Sequence, residues 1–348
     1  MKTKLTPLLL IICFITAIIS CKKPDALDKE TSKNLITTAS NTPLRYRDSV
    51  FANVDSFPNI FYRNAPNFDK VEELKLDVYM PAGDTATSRA CLIFMHGGAW
   101  DRLTPNITLP PPNYGSGTRK GQRSICLAYA KRGYVVISPS YRTGKDFRRG
   151  QSPSDSSFKF YEAVYRASQD ARAMLRFVKK NAITGKINVN KIFIGGGSAG
   201  AGTAVHTIYL DQSEIGNGFS SLWGALDGTG IYDYPDYNLK VKGVINVEGA
   251  IFDKNYIDAG DPPMISSYGS EDQYYKDSVG VPLMSMRLYP KFKFDSGPKI
   301  HQRFSQLGIF TPPIILYLGK GHGANNDPIL LKNTINFTSA WMYSLLQP

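Results

Sequence analysis

The sequence predicts an α/β fold with a mainly parallel central sheet and helices on both faces. Apolar strand-like runs recur near 74–80, 90–95, 134–138, 191–195, 242–247, 263–268 and 313–318, with helical stretches between them. A repeat of strand, helix and strand gives a parallel sheet, and such a sheet needs cover on both faces. With 348 residues and a 42% hydrophobic fraction, the chain is long enough for one such core. No internal repeat is present.

Taken in order, the chain begins with a segment of its own. Lys2 and Lys4 precede an apolar run from Leu8 to Ile19, which is short of the roughly twenty residues needed to span a bilayer. Residues 1–20 therefore read as a secretory signal. Ile18-Ile-Ser-Cys21 resembles a bacterial lipobox, which implies a lipidated Cys21 as the first mature residue and an anchor of buried acyl chains. Residues 21–54 then read as a polar tether and 55–348 as the catalytic domain.

Four segments of that domain carry chemistry. Cys91-Leu-Ile-Phe-Met-His-Gly-Gly-Ala-Trp100 is a buried-type strand ending in His-Gly-Gly. Lys191-Ile-Phe-Ile-Gly-Gly-Gly-Ser-Ala-Gly200 runs a strand into a glycine turn, with Ser198 at the centre of G-x-S-x-G, the signature of a nucleophile elbow. A serine hydroxyl is a weak nucleophile until a base takes its proton, and a sharp turn lifts its oxygen toward that base. Gly196 and Gly200 let the strand and the following helix approach closely.

Pro262-Pro-Met-Ile-Ser-Ser-Tyr-Gly-Ser-Glu-Asp272 is a strand followed by an acidic turn. Asp272 is the preferred acid and Glu271 its nearest competitor, while Asp258, Asp261 and Asp277 read as solvated loop charges. Pro313-Ile-Ile-Leu-Tyr-Leu-Gly-Lys-Gly-His-Gly323 ends in a loop that presents His322 between glycines. The other histidines read as structural: His96 in the His-Gly-Gly turn, His206 on the helix after the elbow, and His301 in a surface-helix pattern. Ser198, Asp272 and His322 thus follow one another in the order Ser, Asp, His. Asp327-Pro328 marks the start of a last helix, an N-cap followed by proline, with Ile329, Leu330, Ile335, Phe337, Trp341 and Leu345 as its apolar residues.

Together these segments resemble alpha/beta-hydrolase esterases of the feruloyl-esterase-like, carboxylesterase and hormone-sensitive-lipase-like branches, over about residues 55 to 346. Leu76-Asp-Val-Tyr-Met-Pro81 resembles their early strand. The stretch from Leu127 to Arg142 resembles the next helix and strand, and that from Ala167 to Val178 a further helix, with a structural Arg142–Asp170 ion pair expected. The resemblance implies an alpha/beta-hydrolase fold and a carboxylic ester hydrolase working through an acyl-enzyme. Ser198 would be the nucleophile, His322 the base, Asp272 its partner, and the N–H groups of Gly97, Gly98 and Ala199 the oxyanion hole. No cofactor and no metal are implied. Gly197 stands where relatives often carry an acidic residue, and Ala201 replaces a common second glycine. A serine peptidase of the same fold and a non-catalytic binding protein are the other classes open to such a chain.

The formal charge is +12, and loss of Lys2 and Lys4 with residues 1–20, which hold no acidic residue, leaves +10. The basic residues are scattered in small groups such as Arg148-Arg149 and Lys179-Lys180, without a nucleic-acid-binding motif. They suit a solvated surface or an anionic envelope, and nucleic acid is not an expected partner. Cys13 leaves with the signal, and Cys91 and Cys126 read as buried thiols, with a disulfide open to them in an oxidising compartment. The cysteine spacing gives no metal site. Two loops, 101–121 with Pro110-Pro-Pro-Asn-Tyr114 and 211–240 with Phe219, Trp223, Tyr232, Tyr234 and Tyr237, are expected to border the site. Their aromatics could stack on sugar or phenolic rings, although packing is the commoner use of such residues. The expected partners are thus a small-molecule or carbohydrate ester and, through the lipid anchor, the membrane of the cell envelope.

Overall fold

The computed structural model describes residues 42–100, 118–144, 153–215, 217–228, 230–272 and 294–348, with the side chains of 153–157 and 217–219 excepted. The signal segment, Cys21, Pro110–Tyr114, Arg148-Arg149, Asp277 and the side chain of Phe219 lie outside the described residues. A compact unit spans Pro43–Pro348.

Eight strands form one sheet: β1 Val54–Asn67, β2 Lys70–Pro81, β3 Arg89–Met95, β4 Val135–Pro139, β5 Ile187–Gly197, β6 Gly243–Val247, β7 Met264–Gly269 and β8 Ile315–Tyr317. Their spatial order is β1-β2-β4-β3-β5-β6-β7-β8. From β4 to β8 all neighbours are parallel, and β2 pairs antiparallel with both β1 and β4. The helices between them are α1 Arg123–Ala130, α2 Pro153–Lys180, α3 Ala199–Tyr209, α4 Asn217–Trp223, α5 Gly297–Gln306 and α6 Pro328–Leu346.

Strand period two divides the core. Cys91, Ile93 and Met95 of β3 pack with Ala163 and Val164 of α2, Ala204 and Val205 of α3, and Ile300 and Phe304 of α5. The alternate residues Ala90, Leu92 and Phe94 pack with Ile125 and Tyr129 of α1 and Trp341 and Met342 of α6. Both faces are covered, so every residue of β3 is buried, which is why this strand reads as a continuous apolar run. Asp327 caps α6 as its spacing predicts, accepting from the N–H of Ile329 at 2.9 Å. Ile329 and Phe337 of that helix are nonetheless 70% and 59% exposed, because the face toward the sheet passes through Ile335, Trp341 and Met342 instead.

Two differences from expectation lie at the start of the body. The strand β1 is absent from the predicted runs; it contains Pro58 and Pro66 and pairs with β2 alone, an edge position where proline is tolerated and one face stays wet. Residues 43–53, placed by sequence in the tether, belong to the compact unit. Arg45 forms a bidentate pair with Asp84 at 2.9 and 2.6 Å. The Tyr46 ring lies 4.9 Å from that of Tyr134, whose hydroxyl donates to the Tyr46 carbonyl. Scattered anchors of this kind leave no periodic signal.

The Arg142–Asp170 pair is present at 2.9 Å and wholly buried. Arg63 of β1 joins Asp170 at 3.0 Å and reaches Asp233 at 3.0 Å.

Candidate active site

The carboxyl ends of four adjacent strands converge. Ser198 follows β5, Glu248 follows β6, Asp272 lies in the turn after β7, and His322 in the turn after β8. Parallel sheets place ligand sites at this edge.

The elbow is a consequence of close packing. Ser198 sits at φ 52°, ψ −119° between β5 and α3, a left-handed φ that a residue with a side chain adopts only when its surroundings enforce it. Its own N–H donates to the Val247 carbonyl at 2.8 Å. A Cβ on Gly200 would lie 2.2 Å from the Met95 carbonyl oxygen and 2.5 Å from that of His96. Glycine is thus required where α3 begins, and the approach sets the 96–98 turn beside Ser198.

Ser198 Oγ is 2.8 Å from His322 Nε2, and His322 Nδ1 is 3.1 Å from Asp272 Oδ2. The acid and histidine turns are locked together by main chain: Glu271 N–H donates to the Lys320 carbonyl at 2.8 Å, Ser270 N–H to the Tyr317 carbonyl at 2.9 Å, and Gly319 N–H to Ser270 Oγ at 2.8 Å. Asp272 is fully buried, whereas Glu271 is exposed; the geometry therefore brings Asp272, not its neighbour, to the imidazole.

Burial alone would lower the pKa of His322. The hydrogen bond and charge of Asp272, with the charge of Glu248, outweigh it and raise the pKa above the ordinary value of 6.5. The three other histidines go the opposite way, His301 lowered to about 4 by burial. Burial pushes His96 and His206 down to about 4. His96 stacks on Tyr141, and His206 accepts from the Phe252 N–H at 3.1 Å. His301 Nε2 lies 2.9 Å from Ser266 Oγ, away from the elbow. All three are held by the fold.

Of the residues expected to hold an oxyanion, Gly97 and Gly98 lie in the turn after β3, and Ala199 opens α3 behind Ser198. Gly98 adopts φ 105°, and Ala99 and Trp100 continue in the left-handed region at 53° and 54°. Ala99, Trp100, Ser198, Ala199, Glu248, Gly249, Ala250 and Phe294 line a recess of about 10 Å³, close to the room one water needs. The Trp100 indole N–H donates to Thr203 Oγ1 at 2.9 Å, which fixes its ring at this wall. A larger apolar cavity of about 300 Å³, lined by residues such as Ile60, Leu76 and Phe177, contains none of these groups.

Among the described residues, the aromatics of 211–240 do not line the recess. Trp223 donates to Glu162 at 2.6 Å and lies over Arg166. Tyr232 meets Phe61 edge-on, and Tyr234 packs on Phe177. Their described contacts are with α2 and β1, which is packing rather than a border to the site. Cys91 and Cys126 are buried free thiols.

Glu248 was not singled out by sequence, although it follows an apolar strand just as Asp272 follows another. It is 1% exposed and accepts from the Gly323 N–H at 2.8 Å. Glu248, Asp272 and His322 have one ligand-type atom each within 4.8 Å of one another. Their donors and acceptors engage Gly323, Ser198 and each other, so we do not assign them as metal ligands.

A profile of the BD-FAE family matches residues 76–251, a span from β2 through the Ser198 turn to the residues just after Glu248. No curated protein sequence matches the chain. Among solved structures, Thermogutta terrifontis esterase 2 phosphorylated by paraoxon aligns over 87% of this chain and 98% of its own, with 19% identity and a TM-score of 0.55. The butyrate-bound form of that esterase aligns over 84% and 94%, with 18% identity and a TM-score of 0.55. Its apo form aligns over 86% and 98%, with 20% identity and a TM-score of 0.53. These likenesses show a shared alpha/beta-hydrolase fold. With a family match that covers half of its length, the chain belongs to the BD-FAE family of esterase-like alpha/beta hydrolases.

Proposed function

We propose that the protein is a serine esterase that cleaves carboxylic esters through an acyl-enzyme. The observation that carries this reading is the continuous relay from Ser198 Oγ to His322 Nε2 at 2.8 Å and from His322 Nδ1 to Asp272 at 3.1 Å. His322 takes the Ser198 proton as the oxygen attacks the ester carbonyl, and Asp272 orients and stabilises the imidazolium. The N–H groups of Gly97, Gly98 and Ala199 hold the developing oxyanion, for which their place beside Ser198 is the support. The imidazolium then protonates the departing alcohol, and water repeats the sequence to release the acid.

The ester's alcohol is read as a small molecule or a carbohydrate. The lipobox-like Ile18-Ile-Ser-Cys21 supports attachment to the cell envelope through a lipidated Cys21. Among the described residues no helix is long and apolar enough to cross a membrane.

Incubation with paraoxon followed by peptide mass spectrometry tests the reading. Diethylphosphoryl carried on Ser198, with loss of ester turnover in step, is the expected result. Full modification elsewhere with turnover retained would overturn it.

A further inference from the structure

We propose that Glu248 is a second acid of the site, a positioning residue that ties down the His322 turn and shares with Asp272 the charge of the imidazolium. The proposal rests on the Ser198, His322 and Asp272 reading given above.

The geometry is built in three parts. First, Glu248 is placed by strain: it holds φ 59° at the end of β6, with its N–H donating to the Ser267 carbonyl of β7 at 2.9 Å. Such a left-handed backbone on a glutamate persists only where neighbours enforce it. Second, its two carboxylate oxygens face the turn that carries the base. One accepts from the Gly323 N–H at 2.8 Å, the residue directly after His322, and the other from Asn325 Nδ2 at 3.4 Å. Asn325 is itself buried and bonded to Thr334 of α6 and Ser267 of β7. Third, one carboxylate oxygen of Glu248, one of Asp272 and a ring nitrogen of His322 fall within 4.8 Å of one another.

A buried carboxylate that served only as a tie could be an amide, which keeps the 2.8 Å hydrogen bond from the Gly323 N–H and gives up only the longer one from Asn325. The charge matters because its neighbour is a base that becomes cationic during turnover, and opposite charges at this range favour the charged form. Asp272 from the β7 turn and Glu248 from β6 are the charged groups that raise the imidazole's pKa. Lys320 on the histidine's own turn and Glu271 on the acid turn are exposed, and Asp327 caps α6. Burial and the like charge of Asp272 raise the pKa of Glu248 itself, while the charge of His322 and the Gly323 and Asn325 hydrogen bonds favour its ionised form.

The test titrates His322 by NMR of its ring protons, assigned through their loss in His322→Gln, in the wild type and in Glu248→Gln. The amide can still accept from the Gly323 N–H, so a role as tie alone leaves the titration where it was. The proposal expects the His322 pKa to fall by about one pH unit, and the acid limb of kcat/KM to move down with it. An unmoved titration overturns it.

Should Glu248→Gln fail to fold, Asp272→Asn decides. With Glu248 ionised, His322 is then expected to titrate nearer to 6.5 than to the value of about 4 set for His96 and His206, whose hydrogen bonds are to main chain. A value near 4 overturns the proposal. Absence of ester turnover in the wild type would count against the esterase reading and leave the titration result standing.

Discussion

Ser198 owes its position to neighbours that have no chemistry of their own. Its left-handed backbone is held by the Val247 carbonyl on one side and by α3 on the other, and from that turn the hydroxyl lies 2.8 Å from His322 Nε2. Once His322 is the base, the pH behaviour follows. Its pKa is raised above 6.5 by Asp272 and Glu248 in spite of burial, and only the neutral imidazole can accept the serine proton. Turnover is therefore expected to fall as pH drops through a value above 6.5. A kcat/KM profile with its acid limb well below 6.5 would contradict this. Replacing Asp272 with Asn keeps the shape but removes the charge and the tautomer control, and should lower kcat by about 10³-fold or more. Glu271→Gln, on an exposed residue, should leave kcat within about twofold; the paired measurement tells the two adjacent acids apart.

At the scale of elements, the site depends on how closely β3 approaches the start of α3. A methyl group on Gly200 would collide with the carbonyls of Met95 and His96, which are backbone and cannot swing aside. Gly200→Ala should therefore shift the elbow against the 96–98 turn. An activity loss of about 100-fold is expected, with a clear drop in Tm by calorimetry. The first segment of the body makes a different prediction. Asp84 pairs with Arg45 and Arg89, and these hydrogen bonds hold its carboxyl well below the usual range against the cost of burial. Because the folded pKa is depressed, this stabilisation is present above about pH 3.8 and is lost as pH falls toward the folded value. Asp84→Asn should cost about 2 kcal/mol at pH 7, discounted for the partly exposed Arg45, and the difference in urea midpoint from wild type should shrink below pH 4.

The same scale shows what the sequence could tell. Strands β3 to β7 were legible because parallel strands buried on both faces demand continuous apolar runs, and β2 and β8 through the shorter apolar stretches at 74–80 and 313–318. The edge strand β1 was not, since Pro58, Pro66 and several polar residues mask a half-exposed strand. Ser198, Asp272 and His322 stood out because each ends an apolar strand in a glycine-rich or acidic turn. Glu248 obeys the same rule within Val247-Glu-Gly-Ala250, but its meaning depends on the spatial order β5-β6-β7-β8, and that order is not written in the sequence.

The whole molecule places its two ends of the sheet under different constraints. Toward β8 the sheet carries the proposed site. Toward β1 a buried ionic knot of Arg63, Arg142, Asp170 and Asp233 fastens the hairpin to α2. Asp170 is fully buried, and its removal takes the carboxylate from the buried Arg142 and leaves Arg63 with Asp233 alone. Asp170→Ala should cost about 3 to 5 kcal/mol in urea unfolding. Ester turnover at low temperature, measured where the variant is still folded, should stay within about threefold, because the knot touches none of the groups around Ser198. The central claim is that Ser198 is the nucleophile of an esterase, and one comparison tests it most directly. Turnover of para-nitrophenyl acetate is measured for the chain beginning at Lys22 and for Ser198→Ala prepared in the same way. A loss of at least about 10³-fold in the alanine variant, with an unchanged Tm, is the predicted result. Equal rates from the two proteins, or no turnover from a well-folded wild type, would contradict it.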